Sequence, residues 1–225
     1  MMTGAFRTAY SKAEQISDAV VHVAGLMLVL MAVPVLIVLT ALYRGDAASI
    51  TGVSVYGGAL ILMILFSALY NIGETSGLGT AKEWLLRRLD HAAIYLKIAG
   101  TYTPFTLLSG HGVALTLGVW GAALAGIALK IVSPERFKWI ALALYLGMGW
   151  AGAVAGGPLF AALPTAVLVL MAVGGGLYTL GVVFYLWRRL PFHYTIWHVF
   201  VLAASFVFYS AVLVFVLLGP EAALA

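Results

Sequence analysis

The sequence predicts an all-α membrane protein, a bundle of seven transmembrane helices with its N-terminus in the cytoplasm. Three observations predict it. Of the 225 residues, 64% are hydrophobic and 9% are charged, more apolar surface than a single water-soluble core can hide. The apolar residues fall into seven runs, each near the roughly 20 residues needed to cross hydrocarbon about 30 Å thick. The basic residues lie between those runs and almost all on one side.

The first run extends from Val20 to Tyr43, with Arg7 and Lys12 before it. It is longer than a signal-peptide core and lacks a small-residue cleavage site, so it reads as a retained helix. The following runs cover Ile50 to Asn71, His91 to Ser109, Val113 to Val132, Lys138 to Ala155, Thr165 to Trp187 and Thr195 to Leu218. The fifth is the shortest. Polar or Gly/Pro-containing breaks separate them at 44–46, 73–88, 109–112, 133–136, 156–164 and 188–191, short enough to favour antiparallel neighbours in one compact bundle. The chain is therefore read as a single domain over 1–225, with 1–19 as a cytoplasmic N-terminal segment.

Orientation follows from the twelve Lys and Arg residues. Arg7, Lys12, Lys82, Arg87, Arg88, Lys130, Arg136, Lys138, Arg188 and Arg189 fall on the N-terminal side of a seven-helix topology, Arg44 falls opposite, and Lys97 lies within a run. Under the positive-inside rule that side is cytoplasmic. The formal net charge of +4 thus reflects topology rather than a nucleic-acid surface, and membrane lipids are the expected partners. Without cysteine, any metal must use His, Asp, Glu or water.

Three polar clusters interrupt the apolar runs: Ser67 to Asn71, Arg87 to His91 leading into Ala99–Pro104, and Phe192 to His198. In the predicted topology all three sit at the cytoplasmic end, joined by Asp18 and His22. Ionisable groups within a membrane cost several kcal/mol unless paired or facing a cavity, so they mark functional candidates. Ser67 and Asn71 share a helical face, as do Glu14, Asp18 and His22. Asp90 beside Arg87 and Arg88 fits either a helix cap or a site carboxylate. Lys97, two turns deeper on the same face, could pair with Asp90 as a charge relay, snorkel or line water. His193 and His198 are five apart, about 140° around a regular helix, so they share an ion only if the helix starts after His193. The run Gly174-Gly-Gly176 suits close helix approach rather than phosphate binding, and Thr101, Thr103 and Pro104 suit a kinked third helix. No P-loop, nucleophile elbow or soluble catalytic triad is present.

At these positions the sequence resembles the hemolysin III family, the bacterial branch of the progestin and adipoQ receptor group of seven-helix proteins. The resemblance runs over nearly the whole chain, through Glu14, Asp18, His22 and Gly25, Ser67 to Tyr70, Arg88-Leu-Asp90-His91, Ala99-Gly-Thr-Tyr-Thr-Pro104, Gly174 to Tyr185 and Trp197-His198. It implies a zinc site near the cytoplasmic face of a membrane hydrolase, made by a helix-two His, a helix-three Asp and two helix-seven His residues. Here the helix-two position is Asn71 and the first helix-seven position is Tyr194, so two of three expected imidazoles are missing. The resemblance implies Ser67, Asp90 and His198 as catalytic residues. Asp90, His198, His193, His22 and Asn71 are the candidate metal contacts, with Asp90 and Lys97 as the relay. The expected function is a sensor, transporter or lipid-related protein with a degenerate zinc site in a bacterial inner membrane. The alternative is a zinc-dependent hydrolase of a lipid amide or ester.

Overall fold

The computed structural model describes residues 11–75, 80–132 and 137–219. Within them the chain forms eight helices: α1 (Lys12–Tyr43), α2 (Ala47–Thr75), α3 (Thr80–Ser109), α4 (Val113–Val132), α5 (Lys138–Ala155), α6 (Gly157–Ala161), α7 (Thr165–Leu186) and α8 (His193–Leu218). All but the five-residue α6 match a predicted run. The break at 133–136, part of that at 73–88, and residues 1–10 of the N-terminal segment lie outside the described residues.

Five helices, α1, α2, α4, α7 and α8, are long and apolar enough to span a membrane. The shorter α5 is apolar as well, whereas α3 carries Lys82, Glu83, Arg87, Arg88, Asp90 and Lys97, the charges that lower its hydropathy. The outer surface is correspondingly apolar. Met31 is 70% exposed and Val154 90%, an exposure that in a water-soluble bundle would mark an error or an interface and here marks the lipid-facing side.

Consecutive helices pack as neighbours from α1 to α5, α7 packs on α8, and α8 returns to α1. The helix α3 touches α2, α4, α5, α6 and α8 and so occupies the middle. One core unites Leu36, Tyr56, Phe105, Val167 and Phe215 from α1, α2, α3, α7 and α8. A second joins Tyr95, Tyr102, Ala123 and Met148 from α3, α4 and α5. The glycine run in α7 serves the close approach expected of it. A Cβ on Gly174 would lie 2.7 Å from the Phe208 ring, which would have to turn away, and one on Gly181 would lie 2.9 Å from Phe200 Cβ, which only a shift of the α8 backbone relieves.

Several helices start earlier than the apolar runs. A capping box begins α1: the Glu14 amide donates to Ser11 Oγ at 3.2 Å, and the Ser11 amide donates back to Glu14 Oε2 at 2.8 Å. This satisfies two otherwise orphaned donors and carries the helix past its apolar stretch. In α3, Pro104 stays within the helix, while Thr101 and Thr103 donate to the carbonyls of Lys97 and Ala99 at 2.7 and 3.1 Å.

The first and last helices are joined at both ends. At one end Glu14 Oε1 accepts the Phe192 amide at 2.9 Å. At the other, Arg44 Nε donates to the Val216 carbonyl at 2.7 Å.

Candidate functional site

The α1–α8 seam builds the site turn by turn. Phe192 adopts the left-handed conformation, with φ 57° and ψ 14°, and turns the chain into α8, whose first residue is His193. The Phe192 amide is the one that Glu14 holds. One turn further, Ser17 Oγ and Thr195 Oγ1 are 3.1 Å apart. Beyond them Asp18 Oδ1 meets His198 Nδ1 at 2.5 Å.

Asp18 also organises its own helix. His22, four residues on, places Nδ1 2.8 Å from the Asp18 carbonyl oxygen and 3.4 Å from Asp18 Oδ2. Because a carbonyl only accepts, the network assigns the proton to Nδ1. The Nε2 of a neutral His22 ring is then an acceptor, and it faces Ser67 Oγ on α2 at 3.1 Å. Asn71 completes the series, donating through Nδ2 to the Ser67 carbonyl at 2.8 Å and to Ser67 Oγ at 3.3 Å. The His22 and His198 rings meet edge-on with centroids 4.4 Å apart, and Tyr194 stands edge-on to His198 at 4.5 Å.

Asp18, His22 and His198 are all buried, and one ligand atom from each lies within 4.8 Å of the others. This group could hold a metal ion. Two imidazoles and a carboxylate are a common catalytic zinc set, leaving a fourth position for water. Tetrahedral coordination at the usual 2.0–2.1 Å places ligand atoms about 3.4 Å apart, closer than the 4.8 Å that bounds this group.

The cluster opens onto a cavity of about 420 Å³, within the roughly 300–1,000 Å³ range of small-molecule sites. Most of its wall is apolar, contributed by residues such as Ile64, Ile94, Phe105 and Leu168. Ser67, Asp90, Lys97, Lys130, His22 and His198 are among the ionisable or hydroxyl-bearing residues of its wall.

The structure therefore distributes the sequence candidates as follows. Ser67, His22 and His198 come together. Asp90 is buried and lines the same cavity, yet it falls outside the metal-competent group, as does His193. His193 is buried at the first position of α8, and Asn71 supports Ser67. Lys97 lines the cavity with its ammonium on Thr101 Oγ1 at 2.8 Å. Two residues were not singled out from sequence as site members. Asp18 had a readable signal, its i, i+4 spacing to His22. Lys130 reads as a flanking charge but is buried on the cavity wall.

Comparison with known proteins gives a consistent lineage. Residues 10–209 match the family described as Haemolysin-III related. The chain is 39% identical over 210 residues to the hemolysin-3 homolog of Bacillus subtilis (strain 168), covering 92% of this chain and 96% of that protein. It is 39% identical over 207 residues to hemolysin-3 of Bacillus cereus, covering 91% and 92%. The human monocyte to macrophage differentiation factor is 31% identical over 164 residues, covering 70% of this chain and 67% of the relative.

Proposed function

We propose that this chain, which belongs to the haemolysin-III related family, is a hydrolase of the bacterial inner membrane that cleaves a lipid amide or ester. Its centre lies at the cytoplasmic end of the bundle. One observation carries the reading: Asp18, His22 and His198 form a buried group with ligand atoms within 4.8 Å, and that group borders a largely apolar cavity. Asn71 and Tyr194 remove two imidazoles expected from the family resemblance. The helix α1 offers a different set, a carboxylate and an imidazole four residues apart, to accompany His198.

Zinc held by these three residues would lower the pKa of a bound water towards neutrality and polarise an acyl carbonyl. The protein's own groups do the rest. His22 would hold the ion through Nε2, since Nδ1 donates to the Asp18 carbonyl. That frees the Ser67 hydroxyl, which Asn71 keeps beside the site, to donate to water or to the acyl oxygen. Asp90, on α3, takes the part of general base, accepting a proton from the attacking water and returning it to the departing amine or alcohol. The apolar walls hold an acyl chain and exclude competing water.

The test is metal content and turnover together. Purified protein should retain about one zinc per chain and hydrolyse a medium-chain acyl amide in detergent. Asp18→Ala and His198→Ala should lose both properties, whereas Asp90→Asn should keep the metal and lose turnover. Protein that neither retains zinc nor turns over amide or ester with zinc supplied overturns the reading.

A second reading has its own support, the series of polar contacts from Asn71 through Ser67 and His22 to Asp18, whose carboxylate lies 3.4 Å from His22 Nδ1, and on to His198. Such a series moves charge between helices without a metal, as a sensor or proton-handling bundle requires. Proton flux in liposomes that is insensitive to chelators and abolished by Asp18→Asn would select it.

A further inference from the structure

Among the described residues, no carboxylate stands within ion-pair distance of the buried Lys97 ammonium. Lys97 is 3% exposed, and its ammonium donates to Thr101 Oγ1 at 2.8 Å. The Thr101 hydroxyl spends its own hydrogen on the Lys97 carbonyl, at 2.7 Å, so it serves the ammonium only as an acceptor. The nitrogen also stands 4.9 Å from the centre of the Tyr56 ring and 5.5 Å from that of Phe208, within reach of cation–π attraction. Among the described residues, its side-chain partners are thus one hydroxyl and two neutral ring faces. A buried ammonium retains a large desolvation cost under those terms.

Lys97 also has a definite depth. It lies seven residues beyond Asp90 on α3, about 10 Å of helical rise, and its neighbour Phe208 lies ten residues beyond His198 on α8, about 15 Å. The ammonium and the two imidazoles of the Asp18–His22–His198 cluster are therefore two separate polar stations on the wall of one cavity. A second polar group marks the deeper station. Tyr178, packed on Phe208 with ring centroids 6.0 Å apart, lines the cavity, and its hydroxyl is 2.7 Å from Ser205 Oγ.

We propose that Lys97 is the anion anchor of this cavity, binding the carboxylate of an amphiphilic ligand whose apolar body extends along the cavity towards the Asp18–His22–His198 cluster. A carboxylate there supplies the missing counter-charge, and the apolar walls bury the chain that carries it. A compact ammonium with two N–H donors left over after Thr101 suits one carboxylate. The inference rests on this cavity being the ligand site of the proposed hydrolase, but it concerns binding alone and requires neither zinc nor turnover.

The experiment compares dodecanoate with dodecanol by calorimetric binding to the full chain in detergent, metal-stripped throughout, alongside Lys97→Met, Lys97→Arg and Asp18→Asn. Dodecanoate should bind the unaltered protein at least tenfold more tightly than dodecanol. Lys97→Met should erase that preference while still binding dodecanol, which shows that the cavity survives. Lys97→Arg and Asp18→Asn should both preserve it. Equal binding of the two probes, or a preference that persists in Lys97→Met, overturns the proposal. Failure of hydrolysis with the carboxylate preference intact would count against the hydrolase reading alone.

Discussion

Asp18 Oδ1 lies 2.5 Å from His198 Nδ1, although the two residues are 180 positions apart in the chain. The contact joins the first helix to the last, and it sets the distance between the two imidazoles, because Asp18 also holds His22. A carboxylate shared by two buried rings orients both of them, as outer-shell carboxylates do for metal-binding histidines.

Asp18→Asn and His198→Ala should therefore be strongly non-additive. Each is expected to cost about 1–3 kcal/mol of stability by leaving a buried polar partner unsatisfied, and the pair should cost less than the sum, with a coupling of roughly 1–2 kcal/mol. Chemical unfolding of the two single variants and the double variant in detergent measures this. Additive losses would show that the contact carries no energy of its own.

Ser67→Ala removes the hydroxyl between His22 Nε2 and Asn71. The stability loss should be near 1 kcal/mol, typical of one hydrogen bond, while turnover of an acyl amide should fall by about a hundredfold or more. Comparing melting temperature with rate separates the two effects. An unchanged rate would remove Ser67 from the chemistry.

Asn71→His restores an imidazole beside Ser67. A metal held at Asp18, His22 and His198 should then gain a further donor and resist a chelator at least tenfold longer, equivalent to about 1.4 kcal/mol. Zinc release followed with a coloured chelator reads this directly. Faster release than from the unaltered protein would place the metal elsewhere.

The Glu14–Phe192 contact makes opposite predictions for its two members. Glu14→Ala loses both the capping box and the acceptor for the Phe192 amide, and should cost about 1–2 kcal/mol. Phe192→Gly removes a side chain from a left-handed backbone position, where an ordinary residue costs roughly 1–2 kcal/mol, and should leave stability unchanged or higher. Thermal melts of both variants decide. A large loss in Phe192→Gly would mean that the ring's packing outweighs the backbone strain.

The all-helical class, the order of the long helices and their approximate bounds were readable because most of the runs are filled with apolar residues, whatever their neighbours are. The count was not, since five helices are long and apolar enough to span and eight form among the described residues. The beginnings of α1 and α3 were not, since Ser11 and Glu14 extend one helix by capping and the charged stretch from Lys82 to Arg88 continues the other without apolar sequence. The short α6 lies in a segment that reads as a Gly/Pro break. In the candidate site, the pairing of Ser67 with Asn71 and of Asp18 with His22 followed from helical spacing alone. The choice of His198 rather than His193 as Asp18's partner depended on where α8 begins, which the left-handed turn at Phe192 decides. The burial of Lys130 depended on how α4 rotates against α3, and no local pattern encodes that.

With Glu14 gripping Phe192 at one rim and Arg44 gripping Val216 at the other, the outermost staves of the barrel are hooped together. A ligand arriving from the lipid cannot part them without breaking a hoop, and would have to enter elsewhere on the circumference. For the same reason, losing the final stave is not a trimming of the edge. A frameshift anywhere before His198 would unhoop the bundle and leave Asp18 and His22 without their partner on α8, so such truncations should behave as full losses of function even when every earlier helix is made.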